Sequence, residues 1–237
     1  MNSQTDLWPE GSGLFETIRV EDGKIFALHR HHCRAKESAD RLGISIPDEA
    51  AVALASYQEL SKYSFPLGRL RWHFDMRGEF SLSYTEFVDP TGPARLTIHD
   101  QRSDDYTIRV KSYPYQNLEW LAKAKSAGFD DAIILTQDGQ VAETAVATLL
   151  LKLKSEWITP PLSSGILNGV VRALVLEAGL AKFRRVDEVE IKEIESALLL
   201  TSLRNSQTVG EIAGRKLAID AEMNAQIHQL MNKYKGQ

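Results

Sequence analysis

The sequence has only one cysteine, no long apolar run and no secretory-signal pattern in residues 1–6. Its single cysteine, Cys33 among 237 residues, excludes an internal disulfide and a metal site built from several thiolates, and it favours a reducing compartment. No stretch approaches the roughly 18 consecutive apolar residues that a membrane helix needs. Residues 1–6 contain neither a basic segment nor an apolar core of the kind found in secretory signals. We therefore expect a cytoplasmic protein with no membrane partner.

An excess of positive charge is also absent. The chain has 28 basic and 32 acidic residues, which gives a formal net charge of −4. Such a balance provides no general attraction to polyanions, so we expect no nucleic-acid partner. The remaining composition, 43% hydrophobic and 25% charged, is typical of a globular protein with a sizeable core.

Three histidines lie close together at positions 29, 31 and 32, next to Cys33. His29 and His31 are two positions apart, and His32 would project in a different direction on a helix. No acidic residue or second thiolate accompanies them in the local sequence. We expect no metal site.

In the first half, patterning predicts strands and one helix. Residues 13–20 alternate apolar and polar side chains, an Asp-Gly turn follows, and residues 25–28 resume a strand, which predicts a hairpin. Apolar and small residues three or four apart predict a helix over 31–42, ended by Gly43. Residues 67–87 are predicted to form two paired strands.

Residues 88–94 contain two prolines and a glycine, which neither a helix nor a central strand tolerates well. We place the domain boundary there. The predicted organisation is an N-terminal α+β domain over 1–88, a linker over 89–95 and a C-terminal cofactor-binding domain over 96–237.

The second half alternates strands and helices. Tyr106, Ile108 and Val110 mark one face of a strand that ends at Lys111. Later strands are predicted over 131–135 and 141–153, with a further segment at 198–202. Helices are predicted at 116–127, 169–178, 191–197 and 220–233.

Lys111 and Glu143 are the most informative pair in the chain. Pyridoxal phosphate needs an amine for a Schiff base and an anion facing its pyridinium nitrogen, and these two residues are candidates for those roles. Glu143 is the only acid in the apolar run 141–153, although an outward-facing strand residue is an alternative. Lys123 and Lys125 compete with Lys111, but they fall within a predicted helix, where Glu119 can pair with Lys123.

The same cofactor needs donors for its phosphate. Residues 167–172 predict a loop that leads into a helix, whose free backbone amides can bind an anion. Residues 201–205 follow an apolar run and can add a hydroxyl and another amide. Arg34 can supply a compensating positive charge.

These features, in this order, resemble the class IV aminotransferase family, the fold-type IV pyridoxal phosphate enzymes that include branched-chain and D-amino-acid aminotransferases and 4-amino-4-deoxychorismate lyase. The resemblance covers nearly the whole chain. It is carried by residues 13–19, His31 with Arg34, Ser38 with Ala39, Lys111, and residues 138–143, 159–161 and 165–172.

The resemblance implies a role for each candidate residue. The implied set is Lys111 as the Schiff-base lysine, Glu143 as the partner of the pyridine nitrogen, Arg34 as a phosphate ligand, Val170 and Val171 as donors of backbone amides to the phosphate, and Ser202 with Leu203 as the rest of its cradle. It also implies a two-domain α+β fold, with a small N-terminal α+β domain and a larger β-barrel-like α/β domain. The cofactor would lie in the cleft between them, and the enzyme would be a homodimer.

Three positions depart from the family pattern. Thr148 and Pro114 stand where asparagine is common, and Val171 stands where threonine is common. These changes bear on the substrate class more than on the cofactor, because the lysine, the glutamate and the arginine are kept. They also motivate one alternative, a noncatalytic ligand-binding scaffold of the same fold.

Two reactions on an amino-acid-like substrate fit the resemblance. A lyase would eliminate pyruvate from aminodeoxychorismate and leave 4-aminobenzoate, whereas an aminotransferase of the branched-chain or D-amino-acid type needs a second, oxo-acid substrate. We favour the lyase, because residues 202–204 resemble a Ser-Leu-Arg segment of lyase-like members and the chain is similarly compact. Arg71 and Arg204 are candidates for binding substrate carboxylates, and Tyr115 is a candidate active-site hydroxyl.

Overall fold

The computed structural model describes residues 11–103, 109–113 and 117–237. They form two compact units. The described residues of the first unit are 11–87 and 110–113, and those of the second are 88–103, 109 and 117–237. The segment that carries Lys111 therefore belongs to the first unit, although it follows residues of the second in the chain.

The elements are numbered in chain order. The strands are β1 (Gly13–Glu21), β2 (Lys24–Ile25), β3 (Leu67–Asp75), β4 (Phe80–Glu86), β5 (Ala94–Ser103), β6 (Ser112–Tyr113), β7 (Asp131–Thr136), β8 (Val141–Thr144), β9 (Thr148–Leu153), β10 (Glu156–Thr159), β11 (Lys182–Phe183), β12 (Ser196–Thr201), β13 (Asn205–Ile212) and β14 (Arg215–Lys216). The α-helices are α1 (Leu28–Leu42), α2 (Glu49–Leu60), α3 (Asn117–Ser126), α4 (Val170–Glu177) and α5 (Ala221–Asn232).

The first unit contains an antiparallel sheet in the order β2-β1-β3-β4, and β6 pairs with the start of β1. Alternate residues of β1, including Leu14 and Ile18, are buried in one cluster with Trp72 of β3 and with α1. The predicted strand pair over 67–87 is confirmed as β3 and β4.

The predicted helix over 31–42 is also confirmed, but it begins earlier, at Leu28. The predicted hairpin is confirmed by the antiparallel pairing of β2 with the end of β1, but its second strand is Lys24–Ile25 and does not extend to residue 28. Ala27, two residues after the end of β2, adopts a left-handed conformation (φ 48°), so the chain turns into α1 instead of continuing the strand. Helix α2 was not predicted.

The second unit contains a curled sheet in the order β11-β10-β9-β12-β13-β5-β7-β8, with β14 on β13. Its pairing is mixed, because β5 pairs in parallel with both β13 and β7 while β9 and β12 are antiparallel. Helices α3, α4 and α5 confirm three predicted helices. The fold is therefore mixed α and β, as expected.

One prediction in this unit is wrong. The helix expected over 191–197 is a 3₁₀ helix, Glu188–Glu193, followed by β12. Nearly all of β12 is buried, and it pairs with β9 on one side and β13 on the other, so tertiary pairing overrides the local helical spacing. Residues 141–153, expected to continue a strand and hairpin series, form β8 and β9, and β8 pairs antiparallel with β7.

The strand expected through Tyr106 and Ile108 lies outside the described residues, and Val110 is not in a strand. Within the described part of the chain, no helix has both the length and the apolar character needed to cross a bilayer.

Candidate active site

Lys111 lies at the edge of the first unit's sheet, directly before β6. Its carbonyl oxygen accepts a hydrogen bond of 2.9 Å from the amide of Phe15, and the two strands continue the pairing at Ser112 opposite Leu14. The side chain is half-buried, and its Nζ atom lies 4.9 Å from the centre of the Phe15 ring. The lysine is thus fixed to β1 through its own backbone.

A buried ion cluster joins Glu16 of β1 to His31 and Arg34 of α1. Glu16 accepts a hydrogen bond of 2.8 Å from Arg34 Nε, another from Arg34 Nη2, and is 2.8 Å from Nδ1 of His31. Its exposed fraction is 1%. Burial raises the pKa of Glu16, but the charge of Arg34 and the hydrogen bonds from His31 and Arg34 reverse this, so the pKa stays well below its usual range. We call Glu16, His31, Arg34 and Lys111 the lysine cluster.

The amine of Lys111 is easily deprotonated. Burial lowers its pKa from 10.5 to about 7, and the positive charges of Arg34 and Arg71 act in the same direction, while Glu16 opposes them. A substantial fraction of this amine is therefore neutral at physiological pH, as a nucleophile or a proton acceptor requires.

Arg71 lies on β3 of the first unit, 9% exposed, and it acts electrostatically on Lys111. His73 lies two positions further along β3. Burial and the charge of Arg71 lower the pKa of His73 to about 4. The His73 ring meets Tyr113 edge-on at 6.0 Å. Tyr115, the candidate active-site hydroxyl, lies outside the described residues.

Glu143 occupies β8 of the second unit, with 4% of its surface exposed. Its Oε2 atom accepts a 3.1 Å hydrogen bond from the amide of Leu167. Its Oε1 atom lies 3.4 Å from Arg109 Nε but accepts no hydrogen bond from any described residue. Burial raises the pKa of Glu143 to about 7, against the opposing effects of Arg109 and the Leu167 amide, and Asp131 adds to the rise. We call Glu143, Arg109, Leu167 and Asp131 the glutamate cluster.

Helix α4 begins where the sequence predicted an anion-binding end. Gly169 is its N-cap without a side-chain cap, and its carbonyl accepts the helix's first hydrogen bond, from Ala173. The amides of Val170 and Val171 precede that bond and have no acceptor within the helix. A methyl group on Gly169 would lie 3.1 Å from Thr148 Oγ1, so the position is tightly enclosed.

Residues 202–204 form the turn between β12 and β13, and Ser202, Leu203 and Arg204 are all half-buried. The Arg204 amide donates 3.0 Å to Thr201 Oγ1, and its guanidinium donates 3.0 Å to Gln207. Within the second unit, α4 packs against β12, the strand that leads into this turn.

The structure thus groups Lys111 with Arg34 and Arg71 in the first unit, and it places Glu143, α4 and the 202–204 turn in the second. Sequence reasoning missed Glu16 and Arg109. The rule that selected Glu143 does not select Glu16, because residues 13–20 alternate apolar and polar side chains and a polar position in such a strand is expected to face solvent. Nothing in the local sequence indicates that Arg109 contacts Glu143.

The three neighbouring histidines have separate partners. His29 bonds to Glu49, His31 to Glu16, and His32 to the carbonyl of Pro47. Among the described residues, no group of three or more His, Cys, Asp or Glu has a geometry suited to a metal ion.

Comparison with known proteins places these features in a family. Residues 13–212 match the sequence profile described as "Amino-transferase class IV". A Schizosaccharomyces pombe protein provisionally named aminodeoxychorismate lyase is 26% identical over 183 residues, covering 72% of this chain and 75% of that one. A Rickettsia typhi protein provisionally named branched-chain-amino-acid aminotransferase is 24% identical over 199 residues, covering 76% and 69%. The crystal structure of a Legionella pneumophila protein provisionally named 4-amino-4-deoxychorismate lyase superposes with a TM-score of 0.85 at 21% identity, covering 98% of this chain and 96% of that one.

Proposed function

The chain belongs to the class IV aminotransferase family, whose members are pyridoxal-phosphate-dependent enzymes, and we propose that it binds pyridoxal 5'-phosphate through Lys111. The observation that carries this proposal is the half-buried Lys111 amine, whose pKa is lowered to about 7. An ordinary surface lysine would be protonated at pH about 7 and therefore unable to attack the cofactor's aldehyde.

The residues present fit this cofactor. Oε1 of Glu143 is a buried acceptor without a hydrogen bond from the described residues, as a partner for a protonated ring nitrogen must be. The amides of Val170 and Val171 suit a phosphate, and Ser202 with Leu203 would complete its cradle. When bound, the cofactor would supply an electron sink for the bond broken at the substrate's α-carbon.

Each residue then has a defined task. The neutral Lys111 amine would hold the cofactor and would move the proton at the substrate's α-carbon. Glu143 holds a proton at the ring nitrogen. Arg34 adds positive charge for the phosphate, although two of its nitrogens already donate to Glu16. Arg71 and Arg204 would bind substrate carboxylates, with Tyr115 as a further hydroxyl.

For the reaction, we favour elimination of pyruvate from 4-amino-4-deoxychorismate, which leaves 4-aminobenzoate. The Ser-Leu-Arg segment at 202–204 supports this choice, as do the lyase names of the S. pombe and L. pneumophila proteins. The name of the R. typhi protein favours the second candidate, an amino-acid aminotransferase.

Absorption spectroscopy tests the cofactor assignment. Purified protein mixed with pyridoxal phosphate should develop a visible band, and borohydride reduction followed by peptide mapping should locate the adduct at Lys111. Lys111→Ala should lose the band, whereas Lys123→Ala should keep it. An adduct at Lys123 or Lys125, or no band in the parent, would reject the assignment.

Product analysis separates the two reactions. With 4-amino-4-deoxychorismate and no oxo acid, the lyase forms pyruvate and 4-aminobenzoate in equal amounts. Product that requires an added oxo acid indicates the aminotransferase. A protein that binds cofactor but turns over neither substrate type would fit the noncatalytic scaffold.

The family resemblance also leads us to propose a homodimer that acts in the cytoplasm. Sedimentation equilibrium of the cofactor-loaded protein tests the oligomeric state, and a mass of about one 26.5 kDa chain would reject the dimer.

A further inference from the structure

Arg109 contacts the loop before α4, and that loop contacts Glu143. Its amide donates a 3.2 Å hydrogen bond to the Ile166 carbonyl, and it forms a parallel bridge with Leu167. Leu167 in turn donates to Glu143 Oε2. The backbone at Arg109 therefore helps to place the amide that orients the carboxylate.

The guanidinium of Arg109 is held at each of its three nitrogens. Nε donates 3.0 Å to the carbonyl of Gly165, Nη1 donates 2.8 Å to Asn117 Oδ1, and Nη2 lies 3.4 Å from Ser103 Oγ. Asn117 is 2% exposed and is itself fixed by a bond to the Ala145 carbonyl. The planar group therefore has a defined orientation beside Glu143.

The orientation of the Arg109 guanidinium determines whether Glu143 Oε1 accepts a hydrogen bond from it. Arg109 Nε is 3.4 Å from Glu143 Oε1, but its hydrogen points to Gly165, so Oε1 gains a nearby positive charge without a hydrogen bond. The pair in the first unit differs, because there Arg34 donates to both oxygens of Glu16. The two buried glutamates are thus neutralised in different ways, and of the two only Glu143 has a carboxylate oxygen, Oε1, that accepts no hydrogen bond from the described residues.

We propose that Arg109 is a positioning residue that keeps the Glu143 carboxylate ionised while leaving Oε1 open to the ring nitrogen of the cofactor. This inference rests on the proposed function. It assigns Arg109 a role through Glu143, without contact to substrate. Among the described residues, Asp131 also acts on Glu143, and its negative charge opposes ionisation.

The first test titrates Glu143 in the cofactor-free, full-length protein by NMR of ¹³C-labelled glutamate carboxyls, with the signal assigned by its loss in Glu143→Gln. Arg109→Gln should raise the pKa of Glu143 by at least about 1, because a charge a few ångströms away in a buried site is removed. Arg109→Lys keeps the charge and should leave the pKa within about 0.5 of the parent value.

Arg95→Gln is the matched control. Arg95 also lies in the second unit, pairs with a buried glutamate (Glu211) and stacks on an aromatic ring. Lys216 remains to pair with Glu211 after the change. The pKa of Glu143 should not move. An unchanged pKa in Arg109→Gln overturns the proposal; if that variant does not fold, a rise of about 1 or more in Arg109→Lys does so.

The second test compares two ligands by equilibrium titration. Arg109→Gln should raise the dissociation constant of pyridoxal phosphate about tenfold but leave that of an analogue with carbon in place of the ring nitrogen nearly unchanged, since only the former engages Oε1. Equal losses for both ligands would mean a merely structural role. A parent protein that binds neither ligand would overturn the proposed function and the role of Oε1 with it, while the titration would still report whether Arg109 ionises Glu143.

Discussion

Arg34 donates one hydrogen bond to each carboxylate oxygen of Glu16, and both side chains are almost fully buried. His31 completes the cluster at the same carboxylate. Glu16 and Arg34 also act in opposite directions on the pKa of Lys111. The pair therefore compensates its own buried charges and limits its net influence on the lysine.

Glu16→Gln should expose both effects. The free energy of unfolding should fall by about 3–5 kcal/mol, because Arg34 is left buried without its anion. The pKa of Lys111 should fall below about 7, since the charge that raises it is gone. Urea unfolding and titration of Lys111 measure the two quantities. Glu21→Gln, on the same strand but more exposed, is the control and should change neither by a comparable amount. A higher Lys111 pKa in Glu16→Gln would contradict the account.

Lys111 should become reactive at an unusually low pH. A lysine whose pKa is lowered to about 7 is mostly neutral above that pH, whereas an ordinary lysine remains protonated up to about 10.4. Brief acetic anhydride pulses on the cofactor-free protein, followed by mass spectrometry, give the pH dependence of labelling. A synthetic peptide with the residues around Lys111 serves as the unfolded control. If the protein and the peptide have the same midpoint, burial does not lower this pKa.

The sequence singles out Glu143 as a candidate because it is the only acid in an apolar strand run, and Lys111 because its spacing from that acid resembles a known family; the burial of Glu143 agrees with the first choice. Glu16 occurs in a strand that alternates apolar and polar side chains, so the same rule does not identify it. The rule does not reveal which arginine neutralises each acid. The pairing of Arg109 with Glu143 depends on a bridge to Leu167, far along the chain.

The mistaken helix over 191–197 has a similar explanation. Its first residues do form a 3₁₀ helix, stabilised by a capping box between Asp187 and Glu190. From Ser196 onward, the chain is paired on both sides by β9 and β13. Such non-local pairing is absent from local periodicity, which explains why short apolar segments are assigned less reliably than α4 or α5.

Gly169→Ala should damage the start of α4. The added methyl group would lie 3.1 Å from Thr148 Oγ1, so one of the two must shift. We expect a loss of about 1–3 kcal/mol in the free energy of unfolding and weaker binding of inorganic phosphate. Thr148→Ala removes the obstructing hydroxyl, and the double variant should recover part of the loss. A double-mutant cycle by urea unfolding measures this coupling. Strictly additive losses would show that the two positions do not clash.

Glu143→Gln should change how the stability of the cofactor-free protein depends on pH. The pKa of Glu143 is raised from 4.5 to about 7, so the folded state binds the extra proton between these values, and the stability of the parent falls as pH rises through that window. The full difference corresponds to about 3 kcal/mol. The variant lacks this carboxyl and does not lose that stability. The free energy of unfolding of the variant minus that of the parent should therefore be about 3 kcal/mol larger at pH about 8 than at pH about 4.5.

Glu211→Gln provides a control of opposite sign for the same urea titrations. Hydrogen bonds from Lys216 and Arg95 lower the pKa of Glu211, so its contribution to stability is present above the unfolded-state pKa and is lost as pH falls through the folded-state value. Relative to the parent, Glu211→Gln should therefore lose stability as pH rises, whereas Glu143→Gln should gain it. Parallel curves for the two variants would show that burial does not set the pKa of Glu143, and that the carboxylate opposite the proposed cofactor ionises as freely as one on the surface.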